Sequence, residues 1–364
     1  MNPAGDAAAR ARLVEAVQTN CHIADARQAA DLTLCTYLLQ MREFYRWERG
    51  LPFGAALSRP EVGAWIAERE ALWEALEAQP FRPLCADADG RDGVDPFDVD
   101  AVNARLQGSG LFYGAGAITA GRMVFFLAEQ HGQGRRDGLP VWSTGRELAR
   151  GLAAPPAVLA GGTESPAIVL RRESMARWCW EKVEGFAMRP RPGSAMHAVL
   201  QAYALDADFE AALPRWLDDA GEVMVLHELG EHRAGAWLGP GWRVLREALP
   251  TRRGELHARA LRDHLADFMV TLPTLLQRGD APPLHIWFAN YDGLRQQLHP
   301  SLPAAYAAWR AGDGGRALAT AVARGRAHFE ALARRAIDRA SAGDADAGPA
   351  AEAILGAPDA VCPA

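Results

Sequence analysis

Two histidines and two glutamates, His227, Glu228, Glu231 and His232, fall within six consecutive positions of the segment VMVLHELGEHRAG, residues 223–235. An apolar run precedes them. Projected on one helix over 214–238, Trp216, Ala220, Val223, His227, Glu231, Ala234 and Leu238 recur at steps of three and four and form one stripe. The stripe is apolar except at His227 and Glu231. A polar pair on a buried face must be hydrogen-bonded, ion-paired or metal-bound, because an unsatisfied buried polar group costs on the order of 1–3 kcal/mol. Glu228 and His232 form a second pair, rotated about 100° around the helix. Gly230 lies mid-helix, where it costs about 1 kcal/mol, and close approach of a second backbone or a ligand is one reason to accept that cost.

The next helical segment, ELHARALRDHLADFMVTL (255–272), offers partners. His257, Ala260, His264, Asp267 and Thr271 share a stripe, and His264 and Asp267 are three apart. Two successive helices joined by a compact turn pack antiparallel, which brings His227 and Glu231 toward His264 and Asp267. Two imidazoles and two carboxylates suit zinc, iron or manganese. The expected metal ligands are therefore His227, Glu231, His264 and Asp267, holding a divalent zinc or iron ion.

HELGE is similar to the H-E-x-x-H motif of zincin-type metalloproteases over five residues. That resemblance implies His227 and Glu231 as ligands and Glu228 as the base that deprotonates water. It departs from the motif where Glu231 replaces the second histidine. A second arrangement is a carboxylate-bridged di-iron centre built from Glu228, Glu231, His232, His264 and Asp267, with Glu43 or Glu48 added. A third is a non-enzymatic helical scaffold or regulatory module in which the cluster is structural. The expectation is a metal-binding protein acting as a metal-dependent hydrolase on a small molecule or peptide.

Other strings carry less. In TNCHIADARQAADL (19–32), Asp25 reads as a helix N-cap and His22 as an extra ligand for a shared site. Glu43 and Glu48 have Arg42, Arg46 and Arg49 as neighbours, so local ion pairs are expected. Arg171, Arg172 and Glu173 read as a surface salt-bridge group, with anion binding as the alternative. Trp178 and Phe186 read as core. No Walker loop, dinucleotide fingerprint or G-x-S-x-G elbow occurs.

The strings NCHIADAR…TLCTYLLQMREFYRWERG and HELGEH resemble blocks shared by an uncharacterised bacterial family of unknown function, over most of the chain. The resemblance implies a bacterial protein and transfers no catalytic residue.

These side chains sit on a 364-residue chain with formal net charge −6 and 23% charged residues. The acidic balance argues against nucleic acid or an anionic membrane as the main partner. Lys182 is the only lysine, so a Schiff base could form nowhere else. The five cysteines are scattered and never spaced C-x-x-C. With no apolar core in MNPAGDAAARARLVEA, these features lead to the expectation of a cytoplasmic protein.

The fold expected is α+β, mainly α-helical. An N-terminal helical segment (1–80) has helices over 6–18, 26–49 and 60–79. A small α+β region (81–190) has a β-hairpin near 110–130, a strand at 139–145 before a helix at 145–153, and a strand at 166–174 leading into a helix. A C-terminal helical bundle (191–341) carries the proposed site, and 342–364 reads as a disordered tail.

Overall fold

The computed structural model describes residues 3–85, 92–119, 122–160 and 166–363. The chain divides into two compact units, Met1–Glu181 and Lys182–Ala364. The fold is α+β and mainly helical, with the strands in the middle of the chain.

The first unit opens with helix α1 (Pro3–Gln28), α2 (Leu34–Glu48) and α3 (Arg59–Leu76). Thr33 caps α2 by accepting from the Thr36 amide. Helix α4 (Val99–Arg105) leads to strands β1 (Leu111–Thr119), β2 (Arg122–Arg136), β3 (Leu139–Arg150), β4 (Ala157–Ala160) and β5 (Ala167–Arg171), and α5 (Arg172–Met188) follows at once. The sheet order is β1-β2-β3-β5-β4. The β1–β2 and β2–β3 pairs are antiparallel, β3 and β5 are parallel, and β4 lies antiparallel on β5.

Three local expectations for this unit change. Helix α1 runs through 19–25 without a break, because its polar residues bond across the fold instead of turning the chain. The Asn20 side chain both accepts from the Arg82 amide and donates to the Arg82 carbonyl. Asp25 is not an N-cap: it lies inside α1, 6% exposed, and its carboxylate accepts from the Leu152 amide at 3.0 and 2.9 Å. The segment 145–153 is not helical, since β3 continues to Arg150 through a ladder that pairs Leu127 with Ala149 and Phe126 with Arg150. That ladder overrides the helix propensity of GRELAR.

The second unit is helical: α6 (Ala195–Tyr203), α7 (Phe209–Leu238), α8 (Gly241–Ala248), α9 (Arg252–Ala266), a π-helical turn at Asp267–Thr271, α10 (Leu272–Arg278), α11 (Ala281–Ala289), α12 (Gly293–Leu298), α13 (Leu302–Arg310), α14 (Arg316–Ala340) and α15 (Ala347–Leu355). Asp208 caps α7 through the Ala211 amide, and Thr251 caps α9 through the Gly254 amide. The end of the chain, whose composition reads as a disordered tail, instead carries α15. Ala351 and Leu355 are buried there, Gly348 lies against the Ala248 carbonyl, and the Cys362 amide donates to the Leu298 carbonyl at 2.7 Å. Small side chains let this helix pack closely enough to order it. Among the described residues, no helix is long and apolar enough to cross a membrane.

Candidate metal centre between two helices

Helix α7 carries His227 and Glu231 one turn apart on one face, with Glu228 about 100° round the helix, and α9 with the π-turn brings Asp263 and Asp267 against them. The two helices approach closely at Gly230. A β-carbon there would lie 2.4 Å from the Ala266 carbonyl oxygen, a distance no side chain can occupy. The glycine inside α7 is therefore a packing requirement.

His227, Glu231 and Asp263 each present one ligand atom, and these atoms all lie within 4.8 Å of one another. Among the described residues this is the one group of three or more His, Cys, Asp or Glu side chains that gathers in this way. The His227 Nε2 atom is 3.9 Å from Glu231 Oε1. Its other nitrogen, Nδ1, lies 2.9 Å from Asp267 Oδ1, and Asp267 is 1% exposed. The second Asp267 oxygen accepts from Arg295 at 2.9 Å, and the Trp287 side chain also bonds this carboxylate. A carboxylate on one imidazole nitrogen fixes the tautomer and ring orientation, leaving the other nitrogen directed at the site. Asp267 thus supports His227 from behind, and Asp263, one helical turn earlier, faces the site.

Electrostatics follow from crowding four carboxyls around one imidazole. Burial works against His227 carrying a charge, but Asp267, Asp263 and Glu228 outweigh it and lift the imidazole to about 10. Burial and the neighbouring Glu231 and Asp263 raise Glu228 to about 7, although His227 and Arg262 pull the other way. Asp263 is raised by burial and by Glu231. Glu231 is held below the usual carboxylate range: burial pushes it up, but Arg262, donating to it at 2.7 Å, together with His227 and Asp263, more than compensates. Asp267 is held at about 2 by His227 and Arg295 against its burial. Crowding thus favours a proton on the imidazole and disfavours ionisation of Glu228 and Asp263, and a divalent cation would relieve the same repulsion.

Of the sequence-predicted ligands, His227 and Glu231 come together, and Asp267 joins them through His227. The structure does not bring His264 into this group. His264 is 1% exposed; its Nδ1 donates to the Ala260 carbonyl at 2.8 Å, its Nε2 is 3.4 Å from the Tyr291 hydroxyl, and its ring stacks on Phe329 at 4.2 Å. It is a neutral core histidine, pushed down to about 3 by burial and Arg295. One residue away, Asp263 projects about 100° round the helix and reaches the site. Sequence reasoning missed Asp263. The signal was present, because Asp263 and Asp267 repeat the i,i+4 spacing of His227 and Glu231.

The remaining candidates sit elsewhere. His232 is exposed. His257 Nδ1 donates to the Arg253 carbonyl and lines a separate cavity of about 420 Å³. In the first unit Glu43 pairs with Arg42, Arg46 and Arg177, and Glu48 with Arg69 and the Trp65 indole. His22 Nε2 is 2.9 Å from Arg69, and Trp73 donates to His22 Nδ1.

Fold and site together define a mainly helical α+β protein with a His–carboxylate cluster held between two helices. The chain belongs to a family of unknown function, DUF6866: the model of its N-terminal domain matches residues 12–171 and that of its C-terminal domain residues 176–357. The two matches meet inside α5, where the structure also divides. No curated protein and no solved structure matches the chain.

Proposed function

We propose that the C-terminal unit binds one divalent metal ion, zinc or iron, through His227, Glu231 and Asp263, and acts as a metal-dependent hydrolase on a small molecule or peptide. The observation that carries this reading is the convergence of three ligand atoms within 4.8 Å on an imidazole oriented by a buried carboxylate. Three protein ligands with one position left over is the pattern of catalytic rather than structural zinc. A bound ion would lower the pKa of a coordinated water toward neutrality. Glu228, next to the ligand His227 on α7 and half-buried beside Glu231 and Asp263, would accept that proton and return it to the leaving group.

Elemental analysis and calorimetric titration with Zn²⁺ and Fe²⁺ test the reading. One ion per chain is expected, lost in His227→Ala and Asp263→Asn, while Glu228→Gln keeps the ion and loses hydrolysis. Absence of binding under every loading condition, or full binding by Asp263→Asn, overturns it. The rival reading is a structural polar cluster, favoured by the ion pairs that Arg262 and Arg295 make with Glu231 and Asp267. It predicts loss of stability in these variants with no metal bound to begin with.

A further inference from the structure

The first unit buries a second polar group that the metal centre does not use. Glu147 and Arg150 at the end of β3, Arg171 at the end of β5, and Ser174 and Arg177 in the first turns of α5 meet Glu43 and Arg46 of α2. In the parallel β3–β5 register Arg171 stands opposite Thr144, so β3 runs on through Glu147 to Arg150 past the end of β5, beside the start of α5. Arg171 is 0%, Arg150 1%, Arg46 4% and Arg177 6% exposed.

The carboxylates present do not answer all these donors. Arg171 Nε and Ser174 Oγ both donate to Glu147 Oε1, at 2.9 and 2.6 Å. Arg150 Nε is 3.9 Å from the other Glu147 oxygen. Arg177 Nη1 donates to the Glu43 carbonyl, and Arg46 is held by Glu43 and by the Pro52 and Ala55 carbonyls. Half-buried Glu173 is engaged by the Glu147 amide. Five nitrogens are left buried with no hydrogen-bond acceptor, Nε of Arg46, Nη1 of Arg150, Nη1 and Nη2 of Arg171, and Nε of Arg177, and two carboxylate oxygens, Glu43 Oε2 and Glu147 Oε2, are buried without a donor, so the donors in excess are those of Arg150, Arg171 and Arg177. Arg171 lies over the Phe126 ring at 4.2 Å and Arg150 over Trp47 at 5.5 Å. Those contacts serve the guanidinium faces; the N–H groups lie in the guanidinium plane and still need acceptors. In charge the four guanidiniums are matched by Glu43, Glu147, Glu173 and Glu181, so what the group lacks is acceptors for these N–H groups rather than counter-charge. A buried N–H left without an acceptor costs on the order of 1–3 kcal/mol, and more on a charged group.

We propose that this group is an enclosed binding site for a small free oxyanion of phosphate or sulfate size, bridging Arg150, Arg171 and Arg177. Planar guanidinium forks match tetrahedral oxyanions bidentately, and several acceptor oxygens supply what Glu147 alone cannot. The burial of all three arginines points to a free ion, because the organic part of a phosphoester would have to be buried with it.

The test uses the full chain in EDTA, so that the metal centre takes no part, at constant ionic strength. Titration with inorganic phosphate should give a saturable heat, and the melting temperature should rise with phosphate as for any ligand of the native state. Sulfate should compete, and phenyl phosphate should not bind. Arg150→Met leaves the Arg171–Glu147 pair intact and should weaken phosphate binding by about tenfold or more while the chain still folds. Should that variant fail to fold, ³¹P line broadening of phosphate by the wild-type chain, reversed by sulfate, reads the same site. A melting temperature no more responsive to phosphate than to sodium chloride, wild-type affinity in Arg150→Met, or equal binding of phenyl phosphate overturns the proposal.

Discussion

Gly230 of α7 lies so close to Ala266 of α9 that a β-carbon would come within 2.4 Å of the Ala266 carbonyl oxygen. The atom in the way is backbone, so it cannot be relieved by a rotamer change. Gly230→Ala must therefore push α9 away from α7, and with it Asp263 and Asp267 from His227. The alanine gains up to about 1 kcal/mol of helix propensity, and overpacking costs about 1–3 kcal/mol, so the expected outcome is net destabilisation. Urea unfolding should show a lower midpoint with an unchanged slope. Zinc affinity should fall more than the stability loss alone explains, because the ligands on the two helices are separated.

His264 and Asp263 are chain neighbours with opposite environments, and substitution should separate them. His264→Phe keeps a ring to stack on Phe329, adds volume and removes the bonds to the Ala260 carbonyl and the Tyr291 hydroxyl. It should retain metal and lose about 1–3 kcal/mol of stability, because the larger ring overfills a packed core. Asp263→Asn should lose metal and keep the fold. Metal content measured alongside circular dichroism decides the point, and loss of metal in His264→Phe would return that residue to the ligand set.

Asp267 touches the site only through His227. Asp267→Asn keeps the shape but removes the charge that orients and polarises the imidazole, so metal affinity should fall by about 10–100-fold without vanishing. His227→Ala should abolish binding outright. If both variants bind equally weakly, Asp267 is itself a ligand, as its place in the sequence suggested.

The helical character, the hairpin and the polar stripe of α7 were legible because each is a local pattern: apolar residues at steps of three and four, or paired β-rich runs around glycine. The second half of the site was read one residue out of place. His264 looked the better ligand by chemical type, yet it sits on the face of α9 turned to Phe329, and only the packing at Gly230 decides which face of α9 meets α7. Likewise Arg171 reads from sequence as a surface residue. It is fully buried, because β5 passes directly into α5 beside Glu147. Arginine has no periodic signal that reports burial, so long-range pairing of this kind cannot be seen along the chain.

Asp25 provides a pH-dependent test of the first unit. Its carboxyl is buried in α1 and raised from an ordinary 3.8 to about 7, chiefly by burial, against the opposing effect of the Leu152 amide and of Arg150 and Arg69. Below 3.8 the group is protonated in both folded and unfolded chains. Between 3.8 and 7 the unfolded chain has released the proton and the folded chain retains it, so stability from this residue declines as pH rises, by up to about 1.4 kcal/mol per pH unit. Above about 7 both states are ionised and the loss is complete. Asn at this position cannot ionise, and its side-chain oxygen still accepts from the Leu152 amide. Asp25→Asn should therefore match or fall slightly below the wild type at pH 4 and gain on it steadily up to pH 7.5. Urea unfolding of both proteins across that range measures the difference. Parallel stability curves would mean that Asp25 is ionised in the folded chain, with Arg150 and Arg69 compensating its burial in full.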